Sequence, residues 1–142
     1  CVPLVDLFLN AAAFVVVGEL EFRGVIAQNN IHDHSGLPSG VAEEMFGWYL
    51  EAAYHFWPES FKKGLLADSD AEAFVRYDSY DTQAEMPSGS IADDRFDRND
   101  ITLGVTFKPV PEFVVKADYQ FREHDGPGER PNGFNLGVGW AF

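Results

Sequence analysis

The sequence predicts an all-β fold: about six antiparallel strands joined up and down in a single domain over residues 1–142. Apolar residues recur at every second position in one segment after another, the period of a strand with unlike faces. Between these segments lie clusters of Gly, Pro, Asn, Asp and Ser, which make turns. The last stretch is the clearest. Phe134, Leu136, Val138, Trp140 and Phe142 share one face, and Asn135, Gly137, Gly139 and Ala141 share the other.

Taken in order, residues 1–11 are out of phase and read as the end of a preceding strand or a turn. Residues 12–24 alternate, with Phe14, Val16, Gly18, Leu20 and Phe22 opposite Val15, Val17, Glu19, Glu21 and Arg23. A long connection is predicted from Gln28 to about Val41, rich in Asn, Ser, Gly and Pro. Residues 45–57 put Phe46, Trp48, Leu50, Ala52, Tyr54 and Phe56 against Gly47, Tyr49, Glu51, Ala53 and His55, and Pro58 ends that ladder. Ser60–Ala67 reads as a short helical turn. Residues 71–80 alternate with one fault, because Phe74 falls on the polar side with Glu72, Arg76 and Asp78. A loop spans 82–99. Residues 101–108 (Ile101, Leu103, Val105, Phe107) and 113–122 (Phe113, Val115, Ala117, Tyr119, Phe121) flank a tight turn at Pro109–Glu112. Counted back from the end, long connections at 28–43, 82–99 and 124–132 fall on one side of the sheet. The turn at 109–112 and the segment 58–69 fall on the other.

Composition narrows the class. Net charge is −13 with a pI near 4.4, so the chain lacks the basic surface a nucleic acid needs. One Cys excludes an internal disulfide. No apolar run is long enough for a transmembrane helix, but a barrel strand needs only about 9–11 alternating residues. Cys1 is either a processed end or the point where a fragment starts.

Alternation alone fits both a soluble or periplasmic ligand-binding barrel, apolar inside, and a membrane barrel, apolar outside. Two features point outward. Rings gather toward strand ends on the apolar face: Phe56, Phe107, Phe113, Trp140 and Phe142 at one level, Phe46, Trp48, Phe121 and Phe134 at the other. Such belts suit a bilayer interface. The opposite face carries charges of both signs with Gly and Thr, as a wet lumen would.

Several stretches carry a family resemblance: Gly47–Phe56 followed by Pro58, Ala73–Thr82, Gly104–Pro109 and Lys116–Gln120, with the final strand closed by Phe142. They resemble the last strands of Gram-negative outer-membrane porins, most closely the phosphate-selective group. The resemblance covers most of 12–142. It implies the carboxy-terminal part of a transmembrane β-barrel of typically sixteen strands, often a homotrimer, in contact with lipid and lipopolysaccharide. It implies passive passage of small hydrophilic solutes or ions, and a role for Trp140 and Phe142 in the signal read by the barrel-assembly machinery. A plugged, purely structural barrel is the other membrane reading.

On this reading the pore-lining residues are Glu19, Glu21, Arg23, Glu51, His55, Arg76, Asp78, Lys116, Asp118 and Arg122, with Glu72 and Lys108 on the same face. Acids and bases nearly balance, so no ion preference follows from them. No cofactor, metal or catalysis is expected. His32-Asp33-His34 and the Asp93-Asp94/Asp97 run are the metal-like clusters, the second without calcium-loop spacing. No serine sits in a G-x-S-x-G elbow.

Overall fold

The computed structural model describes residues 4–32, 42–86, 91 and 93–141. They form one seven-stranded antiparallel sheet in chain order: β1 (Leu4–Val17), β2 (Leu20–His32), β3 (Glu44–His55), β4 (Asp70–Glu85), β5 (Asp97–Val110), β6 (Phe113–His124) and β7 (Gly133–Trp140). Each strand pairs with its sequence neighbours, while β1 and β7 stand at the two edges.

There are seven strands rather than six because residues 12–24 are not one strand. Gly18 turns the chain at φ +64°, a conformation that costs glycine little. Val17 and Leu20 close a two-residue hairpin. The turn reverses the parity of the faces: Val15 pairs with Phe22 and Phe14 with Arg23. Val15 and Val17 therefore join the apolar face, and Phe14 and Val16 the charged one, the opposite of the sequence expectation. The supposed boundary at residue 11 lies inside β1, and β2 runs on to His32 through what looked like a loop.

The other elements keep their phase; β4, β5 and β6 run longer than expected, and β3 and β7 stop a residue or two sooner. β4 reaches Glu85, and β5 starts at Asp97 behind a 3-10 turn at Asp94–Phe96. The β5–β6 ladder slips between Phe107 and Val110, where Pro109 has no N–H to give. The chain turns at 111–112, and the Ala141 N–H donates to the Glu112 carbonyl at 2.8 Å, tying the end of β7 to that turn. The helical turn expected at 60–67 is a pair of 3-10 turns, Glu59–Phe61 and Gly64–Leu66. Trp57 anchors this segment. Its indole N–H donates to Ser69 Oγ at 2.8 Å, and its ring lies 4.9 Å from that of Phe107.

The connections fall at the two ends as the sequence suggests, but their lengths do not alternate throughout, because the segment between β3 and β4 is as long as any other. The turns at 18–19 and 111–112 and the folded segment 56–69 lie at one end. The connections β2–β3, β4–β5 and β6–β7 lie at the other.

Burial is inverted relative to a water-soluble core. Trp48 is 38% exposed, Leu103 47% and Trp140 74%. On the other face Glu51 and Glu72 are each 4% exposed, and Thr102 and Thr106 are buried as well. Among the described residues no second layer covers either face. Within a single layer, side chains are buried only where they crowd against one another. The polar set is the crowded one. The apolar face has an aliphatic middle, with Leu50, Val75, Leu103, Val105, Leu136 and Val138. Rings flank it: Phe46, Trp48, Tyr77, Phe121 and Phe134 toward the long connections, and Tyr54, Phe56, Phe107, Phe113 and Trp140 toward the short ones.

Candidate functional site

The charged face holds two clusters, one near each end, joined by a strip of cation–ring contacts. All arise from register. β2, β3 and β4 run antiparallel with Arg23 opposite Glu51 and Glu51 opposite Arg76. Ala53 and Phe74 lie directly opposite each other.

At the short-turn end Arg23 is clasped by three carboxylates. Its Nε donates to Glu21, Nη1 to Glu51 Oε1 at 2.7 Å, and Nη2 to Glu72 Oε2 at 3.2 Å. His55 lies alongside. Its Nδ1 is 2.7 Å from Asp70 Oδ2, and its Nε2 is 3.3 Å from Glu21 Oε2 and 3.6 Å from Glu72 Oε2. The Glu51 and Glu72 side chains are almost wholly shielded from solvent, and Glu21 nearly so. Such burial is tolerable for a charge only when it is paired and hydrogen-bonded.

In the middle, Arg76 Nε donates to Asp78 at 3.0 Å, and its guanidinium lies 5.3 Å from the Tyr49 ring centre. Lys116 sits over Phe74. Asp118 accepts from Asn135 Nδ2 at 2.7 Å. Lys108 lies opposite Asp70 in the β4–β5 ladder.

At the long-connection end, Arg130 reaches from the β6–β7 connection onto the face. Its Nη1 donates to Asp100 Oδ1 at 2.8 Å and to the Glu123 carbonyl at 2.9 Å, and Nη2 donates to the Tyr80 hydroxyl at 3.3 Å. Burial pulls this guanidinium down, but the bonds to Tyr80 and Asp100 and their charge hold it above the usual arginine range. Arg122 donates to Gln120 beside it, and Arg98 stacks 5.4 Å from the Phe96 ring. An open cleft of about 340 Å³ is lined by Asn99, Arg122, His124 and Arg130 among others.

The expected pore-lining set thus falls mostly on one face, in contact. Glu21, Arg23, Glu51 and His55 form one cluster, with Arg76, Asp78, Lys116, Asp118 and Arg122 spread beyond it. Glu19 is corrected: it belongs to the exposed β1–β2 turn, where its carbonyl accepts from the His55 N–H at 2.8 Å. Trp140 lies on the exposed apolar face, and Phe142 lies outside the described residues, as do Cys1, Asp33 and His34. Sequence reasoning missed Asp70, Tyr80, Asp100 and Arg130. The first three had a signal: Asp70 and Asp100 continue the two-residue phase just outside their assigned strands, and Tyr80 is the last residue of its assigned strand, on the polar phase. Arg130 had none, sitting in a Gly/Pro loop.

No family model matches the chain. No solved structure matches it. A protein of Aquifex aeolicus (strain VF5), described only as an uncharacterized protein, is 28% identical over 100 residues. That stretch is 70% of this chain and 22% of the relative, so the match involves less than a quarter of the longer protein.

Proposed function

We propose that this chain is part of the wall of an outer-membrane porin, a passive channel for small hydrophilic solutes or ions. The apolar face meets lipid and the charged face lines water. One observation carries the reading: large apolar side chains are exposed along every strand while carboxylates and threonines are buried. A contiguous exposed apolar surface of this extent marks a membrane or partner contact. A lipid-facing wall requires the observed order, with every interior backbone group paired within the sheet.

Further features support it. Six of the seven strands have 12–16 residues, against a usual five or six, and about 9–11 tilted residues cross a bilayer. Two of the three connections at one end are two-residue turns, and all three at the other are longer, which follows the asymmetry of such barrels except at the folded segment 56–69. Seven strands fall short of the smallest closed bacterial barrel, of eight. Open edges at β1 and β7 therefore imply further strands, from elsewhere in a longer chain or from other copies. The length of the Aquifex aeolicus relative leaves room for them. A homotrimer and recognition by the barrel-assembly machinery belong to this proposal.

The test is reconstitution of the full-length protein in planar bilayers. Discrete conductance steps that grow when Arg23 and Glu51 are both shortened to Ala would support a lumen lined by this face. A folded, inserted barrel without conductance would leave a plugged structural barrel instead. A chain that stays folded and monodisperse without detergent, and binds hydrophobic dyes, would overturn the membrane reading altogether.

A further inference from the structure

The geometry points to a divalent transition-metal site in the wall at the short-turn end, built by His55, Glu21 and Glu72 and oriented by Asp70. Nothing about it depends on which solute the face conducts. One ligand atom from each of the three side chains lies within 4.8 Å of the others. From His55 Nε2 the distances are 3.3 Å to Glu21 Oε2 and 3.6 Å to Glu72 Oε2. Nitrogen and oxygen ligands bound at 2.0–2.2 Å around a tetrahedral ion stand about 3.3–3.6 Å apart. The longer of the two is too long for a hydrogen bond, and one N–H cannot serve two carboxylates well. An ion at their centre serves both.

His55 also has the companion that metal-bound histidines use. Its other ring nitrogen faces Asp70 Oδ2 at 2.7 Å. A carboxylate in that position fixes the tautomer with hydrogen on Nδ1, leaving the Nε2 lone pair for the ion. The three ligands come from β2, β3 and β4, so the ladder holds their spacing without an ion present.

Charge favours the same occupant. Glu21, Glu51, Glu72 and Asp70 bring four carboxylates, against Arg23 and, opposite Asp70, Lys108. The surplus of two negative charges is what a divalent cation cancels. Arg23 holds Glu21 Oε1, Glu51 Oε1 and, at 3.2 Å, Glu72 Oε2; this leaves Glu21 Oε2 for coordination, while Glu72 Oε2 serves the ion through its second lone pair. One imidazole with two carboxylates suits a borderline ion such as Zn²⁺ better than Ca²⁺ or Mg²⁺, which prefer all-oxygen shells. Water completes the shell.

The experiment is Zn²⁺ titration of the full-length protein, folded in detergent and stripped with chelator, by isothermal calorimetry. One ion per chain is expected at this site. Asp70→Asn should weaken binding 10–100-fold, and His55→Gln at least as much. Glu112→Gln, in the exposed turn at the same end, should leave the affinity unchanged. Failure to take up Zn²⁺ at millimolar concentration, or uptake indifferent to both substitutions, overturns the site. Should His55→Gln not fold, the unsubstituted protein decides: bound Zn²⁺ must shield His55 from diethyl pyrocarbonate, read by mass spectrometry. Modification of His55 unchanged by Zn²⁺ removes it from the shell.

Discussion

Lys116 Nζ stands 4.2 Å above the centre of the Phe74 ring, and the same ring lies across Gly104 on the neighbouring strand. This accounts for the one phase fault in β4. Phe74 is on the charged face by register, yet only 5% exposed. It is covered because Gly104, its cross-strand partner, has no side chain to hold it off. An ideal Cβ on Gly104 would sit 2.3 Å from Phe74 Cζ and 2.8 Å from Asp118 Cβ. An aromatic ring laid over a strand glycine restores the packing and solvent exclusion that the glycine forfeits. The cation above adds an attraction of about 0.5–2 kcal/mol.

Gly104→Ala is therefore expected to destabilise the folded protein by about 1–3 kcal/mol, the usual cost of overpacking. In a Phe74→Ala background the same change should cost far less, because the obstructing ring is gone. Urea unfolding of all four variants in lipid, followed by Trp fluorescence, measures the coupling. Costs that simply add would show that the ring and the glycine do not depend on each other.

Removing Arg23 should hurt more than its partial exposure suggests. Arg23→Met leaves Glu21, Glu51 and Glu72 side by side on a shielded surface without their shared cation. Breaking a buried ion group from one side costs about 3–5 kcal/mol. Arg23→Lys should recover only part of that loss, since an ammonium cannot fork to three carboxylates. The triple change of Arg23→Met with Glu51→Gln and Glu72→Gln should recover more. The readout is the urea midpoint at neutral pH. Equal midpoints for Arg23→Met and the unsubstituted protein would mean that water, not Arg23, balances these acids.

Much of this arrangement was legible in the residues. Phe46–Phe56, Ile101–Phe107, Phe113–Phe121 and Phe134–Trp140 alternate large apolar side chains with small or charged ones, so phase, face and strand identity follow from the period alone. The β1–β2 hairpin was hidden for a physical reason. Phe14-Val15-Val16-Val17 is apolar at every position, because Phe14 and Val16 occupy the charged face at the open β1 edge. A run without alternation cannot report the parity change that a two-residue turn introduces. The clustered site was half legible. Glu21, Arg23, Glu51 and His55 could be assigned to one face, but their convergence is a property of register across three strands. No spacing along one strand encodes it.

Arg130 ties the β6–β7 connection to the sheet through Asp100, Tyr80 and the Glu123 carbonyl. Asp100 is 7% exposed, so Arg130→Ala leaves a shielded carboxylate without its cation. The expected result is a loss of about 1–3 kcal/mol and faster amide exchange at 125–132, with exchange in mid-strand β6 unchanged. Because the guanidinium stays charged far above neutral, raising the pH from neutral to mildly alkaline should not loosen the connection. The stabilising effect is fully present below the unfolded arginine value and is lost only beyond it. Exchange at 125–132 that rises between neutral and mildly alkaline pH would mean another group holds the loop.

The membrane reading makes its sharpest demand at Leu103. Leu103 lies mid-strand on the apolar face of β5, between Val75 on β4 and Tyr119 on β6. If that face meets hydrocarbon, Leu103→Arg places a charge at the depth where lipid penalises it most, about 2–4 kcal/mol for a barrel wall. If the face meets water, the same change removes half-exposed apolar surface and costs close to nothing. Ile101→Arg, one step nearer the long connections, should cost less than Leu103→Arg, because the penalty falls toward the interface. Reversible folding into vesicles, titrated with urea, gives both values. A gradient from Leu103 to Ile101 is the signature of a bilayer, and equal, negligible costs at the two positions would remove lipid from this face and the channel with it.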